Sequence, residues 1–482
     1  MASIPRPERR RLAPDLDVSR IVTGLWQVAD MERGGRQLDL EAAAGAMGPY
    51  VQAGFTTFDM ADHYGSAEEI AGRFAASGRQ AELLTKWVPE PGPVTEDEVR
   101  EAVTRALRRL RRERIDLLQF HAWRFSDPSW LDALFFLDAL RAEGLIRHLG
   151  AVNFDTAHLR VAVTTGVRLV SNQVAFSLLD RRAAGRMAAF CGEHGVQLLT
   201  YGVLAGGFLT ERWLDQPAPT QAERSTWSEM KYHRFIEAAG GWEPFQTLAR
   251  AVAAIARKHH VSMANVACRA ILDEPAVGAV IVGARLGERS HLEDNARIFS
   301  LVLDDEDRRA LAAAAAGLTP IPGDCGDEYR RPPFLTATGD LTHHVQTFPV
   351  PYRTRETEGR TLCLSGTPWE PLAGYARAVR KGSRIAVSGT TASHGSRAIG
   401  GTDPAAQTHF VIDKLQGALE SLGGRLEDVV RTRVFVRRIQ DWEAVARAHG
   451  ERFGHIQPAN TLVEASLVSE DALVEIEADA EL

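Results

Sequence analysis

The chain has 482 residues, of which 45% are hydrophobic and 25% are charged, and its formal net charge is −7. This length exceeds what one hydrophobic core usually serves, so two or three domains are expected in a soluble globular protein. The acidic balance argues against nucleic-acid binding by general electrostatic attraction. The first 20 residues lack the apolar core of a signal peptide, and no run approaches the ~20 apolar residues that span a bilayer. We therefore expect a cytoplasmic protein with neither nucleic-acid nor membrane partners.

The four cysteines are scattered along the chain and form no CxxC pair. This pattern suits a reducing compartment and supports neither a zinc site nor a disulfide framework, so no metal is expected. The most basic segment, RALRRLRRERID (105–116), alternates with leucine at helical spacing. We interpret it as the solvated face of an amphipathic helix.

Short apolar runs alternate with longer helical patterns from about residue 20 to residue 300. Seven or eight such units predict a (β/α)8 TIM barrel, with a doubly wound sheet as the alternative. No GxGxxG motif opens a helix after the first strand, which removes the main support for that alternative. The predicted strands are FTTFDM (55–60), ELLTKW (82–87), DLLQFH (116–121), HLGAVN (148–153), VSNQVAF (170–176), VQLLTY (196–201) and GAVIVG (278–283).

The composition changes around residues 316–360, where proline, glycine and threonine become frequent. We expect a barrel domain at 1–340, a linker at 341–362 and a second, smaller α+β domain at 363–482. Its predicted strands are 383–390, 428–438, 460–468 and 472–482, and its predicted helices are 404–423 and 441–456.

Four polar residues follow predicted strands of the barrel: Asp59, Tyr64, Lys86 and His121. Side chains at the carboxyl ends of parallel barrel strands converge on one face. A carbonyl accepts hydride more readily when a proton reaches its oxygen, and an ammonium near a tyrosine lowers the phenol pKa. Lys86 would supply that charge, Asp59 would hold Lys86, and His121 would orient the substrate oxygen. Any one of these residues alone would be an ordinary structural residue.

The motifs around these residues resemble those of the aldo/keto reductase family over about residues 10–340. DMADHYG is similar to the family's DxAxxYG segment, and TK and LLQFHAW match the next two motifs. GAVNF, SNQVAFSLLDR, YGVLAGGFLT and IVGARLGERSHLEDN follow in family order. The resemblance implies catalytic roles for Asp59, Tyr64, Lys86 and His121.

The same resemblance implies a nicotinamide cofactor. Asn153 and Gln173 would hold the carboxamide, although Val152 replaces the family's usual serine, and Phe176 would stack on the nicotinamide ring. Arg285 would meet a 2′-phosphate, which favours NADP(H), and Asn295 would reach the adenine. The Gly206–Gly207 pair is either a tight loop near the pyrophosphate or a plain turn. The expected cofactor-binding residues are Asn153, Gln173, Phe176, Tyr201, Leu204, Gly206, Gly283, Arg285 and Asn295.

The C-terminal region resembles the RidA/YjgF family over about residues 365–482, through YARAVRKGSRIAVSGTTA, GGRLEDVVRTRVFV, PANTLVEASL and VEIEADA. The resemblance implies a pocket containing Tyr375, Gly389, Asn460 and Glu475, and a homo-trimer. Asn460 occupies the position of the arginine that grips a substrate carboxylate in active members, and asparagine cannot make that bidentate contact. The domain is therefore an assembly module, a binding domain for a different ligand, or an altered hydrolase that uses Glu475.

Three functions remain open from the sequence. The chain is an NADPH-dependent reductase of a small carbonyl or imine-derived compound, a coupled enzyme whose second domain processes an imine or enamine, or a non-catalytic cofactor sensor. The intact set of four polar residues counts against the sensor. Trp26, Trp87, Trp123 and Trp227 either line a substrate pocket or are ordinary packing residues.

Overall fold

A computed structural model describes residues 5–33 and 35–482. The chain begins with an antiparallel hairpin, β1 (Arg9–Ala13) and β2 (Leu16–Ser19). Leu16 and Val18 of this hairpin pack against inward-facing barrel residues such as Leu84 and Leu199. The hairpin therefore plugs the end of the barrel where the strands begin.

The next eight strands are parallel and close into a barrel in the order β10-β3-β4-β5-β6-β7-β8-β9. This confirms the predicted TIM barrel and excludes the doubly wound sheet. The strands form because each is a short, doubly buried apolar run, as parallel strands require. They are β3 (Ile21–Gly24), β4 (Thr57–Asp59), β5 (Glu82–Trp87), β6 (Ile115–His121), β7 (Ile146–Val152), β8 (Leu169–Ala175), β9 (Gln197–Tyr201) and β10 (Val277–Gly283).

The helices of the barrel domain bury one stripe each. Residues 105–110 of the basic segment form the last turns of α5 (Glu96–Leu110), which a Thr95–Glu98 capping box starts and which buries Val99, Val103 and Leu110. The rest of that segment leaves the helix and reaches β6, so the predicted amphipathic helix covers only its first part. These helices are α1 (Trp26–Glu32), α2 (Leu40–Ala46), α3 (Gly48–Gln52), α4 (Ala67–Ala76), α5 (Glu96–Leu110), α6 (Ser129–Ala142), α7 (Thr156–Thr164), α8 (Arg186–His194), α9 (Trp227–Ala238), α10 (Trp242–His259), α11 (Met263–Leu272), α12 (Leu292–Arg297) and α13 (Asp305–Ala316).

The second domain is a seven-stranded mixed sheet with its long helices on one face, which confirms the predicted α+β class. Its strands are β11 (Arg353–Thr357), β12 (Arg360–Leu364), β13 (Ala378–Lys381), β14 (Arg384–Thr391), β17 (Val429–Val436), β18 (Ala459–Glu464) and β19 (Val474–Glu481), with a small β15 (Ser393–His394) and β16 (Arg397–Ala398) hairpin beside them. The helices are α14 (Trp369–Ala373), α15 (Pro404–Ser421) and α16 (Trp442–Phe453).

Part of the segment expected to be a linker, 341–362, belongs to this sheet. Strands β11 and β12 extend its edge in the order β11-β12-β13-β14-β19-β17-β18. The opposite face of the sheet carries exposed apolar side chains, including Val430 and Val463. Among the described residues, no helix is long and apolar enough to cross a membrane.

Candidate active site

The four polar residues predicted to be catalytic lie at one end of the barrel. Asp59 ends β4, Lys86 is the penultimate residue of β5 and His121 ends β6. The Lys86 ammonium donates to Asp59 Oδ2 at 2.5 Å and to the Met60 carbonyl at 2.9 Å. It also lies 5.0 Å from the centre of the Tyr64 ring. The fold thus assembles a phenol, an ion pair and an imidazole.

The acidity of Tyr64 differs from the sequence-based expectation. Burial, and then the negative charge of Asp59, hold the pKa of Tyr64 well above its usual value. Burial also lowers the pKa of Lys86, and Asp59 opposes that shift. The Lys86 ammonium donates hydrogen bonds to Asp59 and Met60. The negative charge of Asp59 therefore offsets the positive charge of Lys86 at the phenol. Tyr64 is consequently fully protonated at neutral pH and available as a donor.

His121 is neutral and has a free acceptor. Burial, and then the Arg330 charge, hold its pKa well below the usual value. Its Nδ1 lies 3.3 Å from the Val152 carbonyl oxygen. Because a carbonyl only accepts, this contact places the proton on Nδ1 and leaves Nε2 as an acceptor. Nε2 is buried and has no hydrogen-bond partner within the described part of the chain, so it can receive a ligand hydroxyl.

Gln173 and Asn153, expected to hold a carboxamide, lie beside this group. Gln173 Nε2 donates to Asp59 Oδ1 at 2.8 Å and to Gln119 Oε1 at 2.9 Å, so its carbonyl oxygen is left to accept. Asn153 adopts a left-handed conformation with φ 58°, a strained geometry common at functional sites. Gln119 was missed by the sequence reasoning, although its spacing two residues before His121 places it on the same face of the strand.

Phe176 does not offer the stacking surface expected of it. The ring is 1% exposed, and the Arg181 guanidinium lies 5.1 Å from its centre. Tyr201, at the end of β9, is less buried and donates its hydroxyl to Asn153 Oδ1 at 2.7 Å. The geometry favours Tyr201 as the ring beside a nicotinamide.

The remaining expected cofactor residues lie around the β9 and β10 ends. Leu204 precedes a 3-10 turn (Ala205–Gly207) that packs against α9, and Gly206 within it has a left-handed φ of 67°. Gly283 ends β10, and Asn295 lies in α12. The Arg285 side chain is 41% exposed, and its guanidinium lies 3.9 Å from the Glu288 carboxylate, near the limit for an ion pair. This loose pairing leaves its guanidinium accessible to an anion.

Aromatic residues from distant segments line the same end. The ring centres of Trp26 and Tyr64 are 4.8 Å apart, and those of Trp123 and His121 are 4.5 Å apart. Tyr329 lies 5.8 Å from His121 and accepts a hydrogen bond from Lys231 Nζ at 2.6 Å. The sequence did not indicate Tyr329 and Lys231, because neither belongs to a local motif. Tyr329 lies in the segment that follows α13, and Lys231 lies in α9.

The other two tryptophans differ in role. Trp227 packs on Trp26 at 5.6 Å and so belongs to the aromatic lining. Trp87 is buried against Phe120 and is a core residue.

Three of the four residues expected in the second-domain pocket lie together. A Cβ at Gly389 would fall 2.1 Å from Glu475 Oε1, so a larger residue would displace this carboxylate. Arg377 donates to the Gly389 carbonyl at 2.8 Å and to the Tyr375 hydroxyl at 3.4 Å. Burial, and then Glu477, raise the pKa of Glu475, and Arg377 opposes that shift.

Asn460 lies on the opposite face of the sheet from Glu475. Asn460 pairs with Thr432 in the ladder, whereas Glu475 pairs with Phe435, three residues further along β17. Because side chains alternate along a strand, these positions face opposite ways. Asn460 donates to Thr432 Oγ1 at 2.9 Å and lines a cavity of about 280 Å³ beside α16. One chain therefore does not bring the four residues together.

A comparison with known families agrees with the barrel geometry. The model described as "Aldo/keto reductase family" matches residues 20–316. The chain belongs to the aldo/keto reductase family. Members of this oxidoreductase family use nicotinamide cofactors. The model described as "Endoribonuclease L-PSP" matches residues 366–482, so this aldo/keto reductase is fused to a RidA-like domain.

Individual relatives match one part of the fusion each. A pyridoxal reductase from Arabidopsis thaliana is 27% identical, covering 62% of this chain and 84% of its own length. An uncharacterised Streptomyces coelicolor protein is 40% identical over 117 residues, covering 24% of this chain and 87% of its own length. The Gluconobacter oxydans glycerol dehydrogenase structure is 26% identical with a TM-score of 0.53, covering 67% of this chain and 98% of that one.

Proposed function

We propose that this aldo/keto reductase uses NADP(H) to reduce a carbonyl, or a related imine-derived group, of a small molecule in the cytoplasm. The observation that carries the proposal is the meeting of Tyr64, the buried Lys86–Asp59 pair and His121 at one barrel end. A sensor would need no buried ion pair beneath a protonated phenol.

The residues around this end fit a nicotinamide. Asn153 and the oxygen of Gln173 suit a carboxamide, and the Tyr201 ring suits the nicotinamide face. Arg285 suits the 2′-phosphate that distinguishes NADP(H) from NAD(H), because guanidinium pairs well with phosphate. Leu204, Gly206, Gly283 and Asn295 complete the cofactor groove in this proposal.

The chemistry divides between the cofactor and the protein. Asn153, Gln173 and Tyr201 would hold a nicotinamide, the group that would supply hydride for the carbonyl carbon. Tyr64 would pass its hydroxyl proton to the carbonyl oxygen. The Lys86 ammonium, 5.0 Å from the centre of the Tyr64 ring, would favour the phenolate that remains, although Asp59 offsets part of that charge. Solvent would then reprotonate Tyr64. His121 Nε2 accepts a hydrogen bond from the newly formed hydroxyl and so holds the product oxygen in place.

The second domain is proposed to assemble the protein as a homo-trimer through the open face of its sheet. Exposed apolar residues on that face, including Val430 and Val463, favour such a contact. Asn460 lacks the charge needed to grip a carboxylate, so assembly is favoured over hydrolysis. Glu475 lies beside Gly389 and near Tyr375. This arrangement supports the alternative proposal, in which the second domain processes an imine.

Replacing Tyr64 by phenylalanine tests the reductase proposal. The change removes the proton donor and keeps the ring, so turnover on an aldehyde and ketone panel should fall by about 10²–10⁴-fold. NADPH binding should remain. Tyr352→Phe is the matched control, because Tyr352 is buried outside the barrel end and its hydroxyl has no hydrogen-bond partner among residues 5–33 and 35–482. Wild-type turnover in Tyr64→Phe would contradict the mechanism.

A further inference from the structure

The two domains pack closely beside the cofactor-binding end of the barrel. Helix α7 of the barrel lies against α15 of the second domain. A Cβ at Gly417 of α15 would fall 2.3 Å from the Ser126 carbonyl oxygen, so glycine permits the close approach. Polar pairs at the rim of this contact include Arg160–Asp403 at 2.7 Å and Arg186–Glu451 at 2.5 Å.

A chain of alternating buried charges crosses the centre of this contact. His158 of α7 lies between Asp155, at 2.7 Å, and Asp413 of α15, at 2.9 Å. Arg452 of α16 completes the chain at 2.6 Å from Asp413. All four residues are at most 5% exposed. Burial opposes the charge on His158, but Asp155 and Asp413 together raise its pKa. Each ring nitrogen faces a carboxylate oxygen, so the geometry suits an imidazole that donates from both nitrogens.

Asp155 links this chain to Asn153. It is the N-cap of α7, where its Oδ1 accepts from the His158 amide at 2.8 Å, and it lies two residues after Asn153. Asp155, which His158 fixes, therefore lies two residues after the left-handed Asn153.

A second route reaches Asn153 through an aromatic ring. Phe125 stacks on His158, with ring centres 3.6 Å apart and an interplanar angle of 8°. The guanidinium of Arg330 lies 4.3 Å from the centre of the same ring and donates to the Asn153 carbonyl at 2.5 Å. Asp413 thus holds His158, and His158 supports Asn153 from two sides.

We propose that Asp413 of the second domain is a positioning residue for the nicotinamide site of the barrel. By fixing His158, it stabilises the Asn153–Asp155 segment, with its left-handed Asn153, in the conformation that receives the cofactor. The fused domain is then part of the reductase site as well as an assembly unit. The inference rests on the proposed function in its reference to NADPH, but the coupling between Asp413 and this segment does not.

The test compares Asp413→Asn with Glu451→Gln in the full-length protein. Both variants replace an acid that crosses the same interface by its isosteric amide, but Glu451 pairs with Arg186 at the rim. Hydrogen–deuterium exchange is followed over residues 150–165, and NADPH affinity is measured by tryptophan fluorescence. His158→Gln probes the same link from the barrel side and replaces Asp413→Asn if that variant does not fold.

Asp413→Asn should speed exchange locally in 150–165 and weaken NADPH binding by about fivefold or more, a typical coupling between sites. Glu451→Gln should change neither. Equal exchange in the two variants, a uniform rise over the whole chain, or wild-type NADPH affinity in Asp413→Asn would overturn the proposal. If wild-type protein binds no NADPH, the proposed function fails, while the exchange comparison still decides whether Asp413 controls the segment.

Discussion

The barrel end and the second-domain pocket were both inferred from motifs, yet only the first assembles within one chain. Parallel barrel strands deliver Asp59, Lys86 and His121 to the same end, whatever the distance between them in sequence. In the second domain, by contrast, Glu475 and Asn460 lie on opposite faces of one open sheet. A closed barrel thus completes a site by itself, whereas an open sheet needs a second surface to complete one.

The largest effect is expected when the buried Lys86–Asp59 ion pair of the barrel site is removed. Lys86→Met leaves Asp59 buried without its cation, which should cost about 3–5 kcal/mol of unfolding free energy and abolish turnover. Chemical denaturation and activity assays measure the two effects. Lys258→Met is the control, because its carboxylate partners Asp304 and Asp307 are also close but the lysine is 40% exposed. Similar losses of stability in both variants would contradict the special role of the buried pair.

A smaller effect is expected at the rim of the barrel site. Arg285→Gln removes the guanidinium proposed to meet the 2′-phosphate, so NADPH binding should weaken about 10- to 100-fold while NADH binding stays unchanged. Fluorescence titration of both cofactors measures this. Arg309→Gln is the matched control, since Arg309 is exposed on α13. Equal weakening for both cofactors would remove Arg285 as the selectivity residue.

The smallest effect is expected in the second domain. Glu475→Gln should leave reductase turnover within about twofold, as for substitutions outside a working site. Light scattering should also show that the proposed trimer persists, because the isosteric amide removes no apolar contact from the open face of the sheet. A large loss of turnover would show that the two domains process one substrate together, and would favour the coupled-enzyme alternative.

The sequence predicted the elements well because each is marked by its own local pattern. The apolar run ELLTKW coincides with β5, and DLLQFH differs from β6 by a single residue. The strands β11 and β12 were missed because RTRET and RTLCL lie in a segment rich in proline, glycine and threonine. Their pairing to β13 depends on a partner that local patterns do not show.

The site was predicted less completely than the fold. Motif order located Asp59, Tyr64, Lys86 and His121. The expectation that the Lys86 charge lowers the pKa of Tyr64 was wrong, because burial and Asp59 raise that pKa. Other differences depend on tertiary packing. The burial of Phe176, the approach of Tyr329 from the tail and the docking of Asp413 on His158 join segments that no motif connects.

Titration of the wild-type protein with NADPH and NADH, followed by quenching of tryptophan fluorescence, tests the central claim most directly. Trp26 and Trp123 lie beside Tyr64 and His121, so a bound nicotinamide should quench them. The account predicts saturable quenching by both cofactors, with NADPH binding clearly tighter than NADH. Absence of quenching by either cofactor would contradict the assignment of the barrel end as a nicotinamide site.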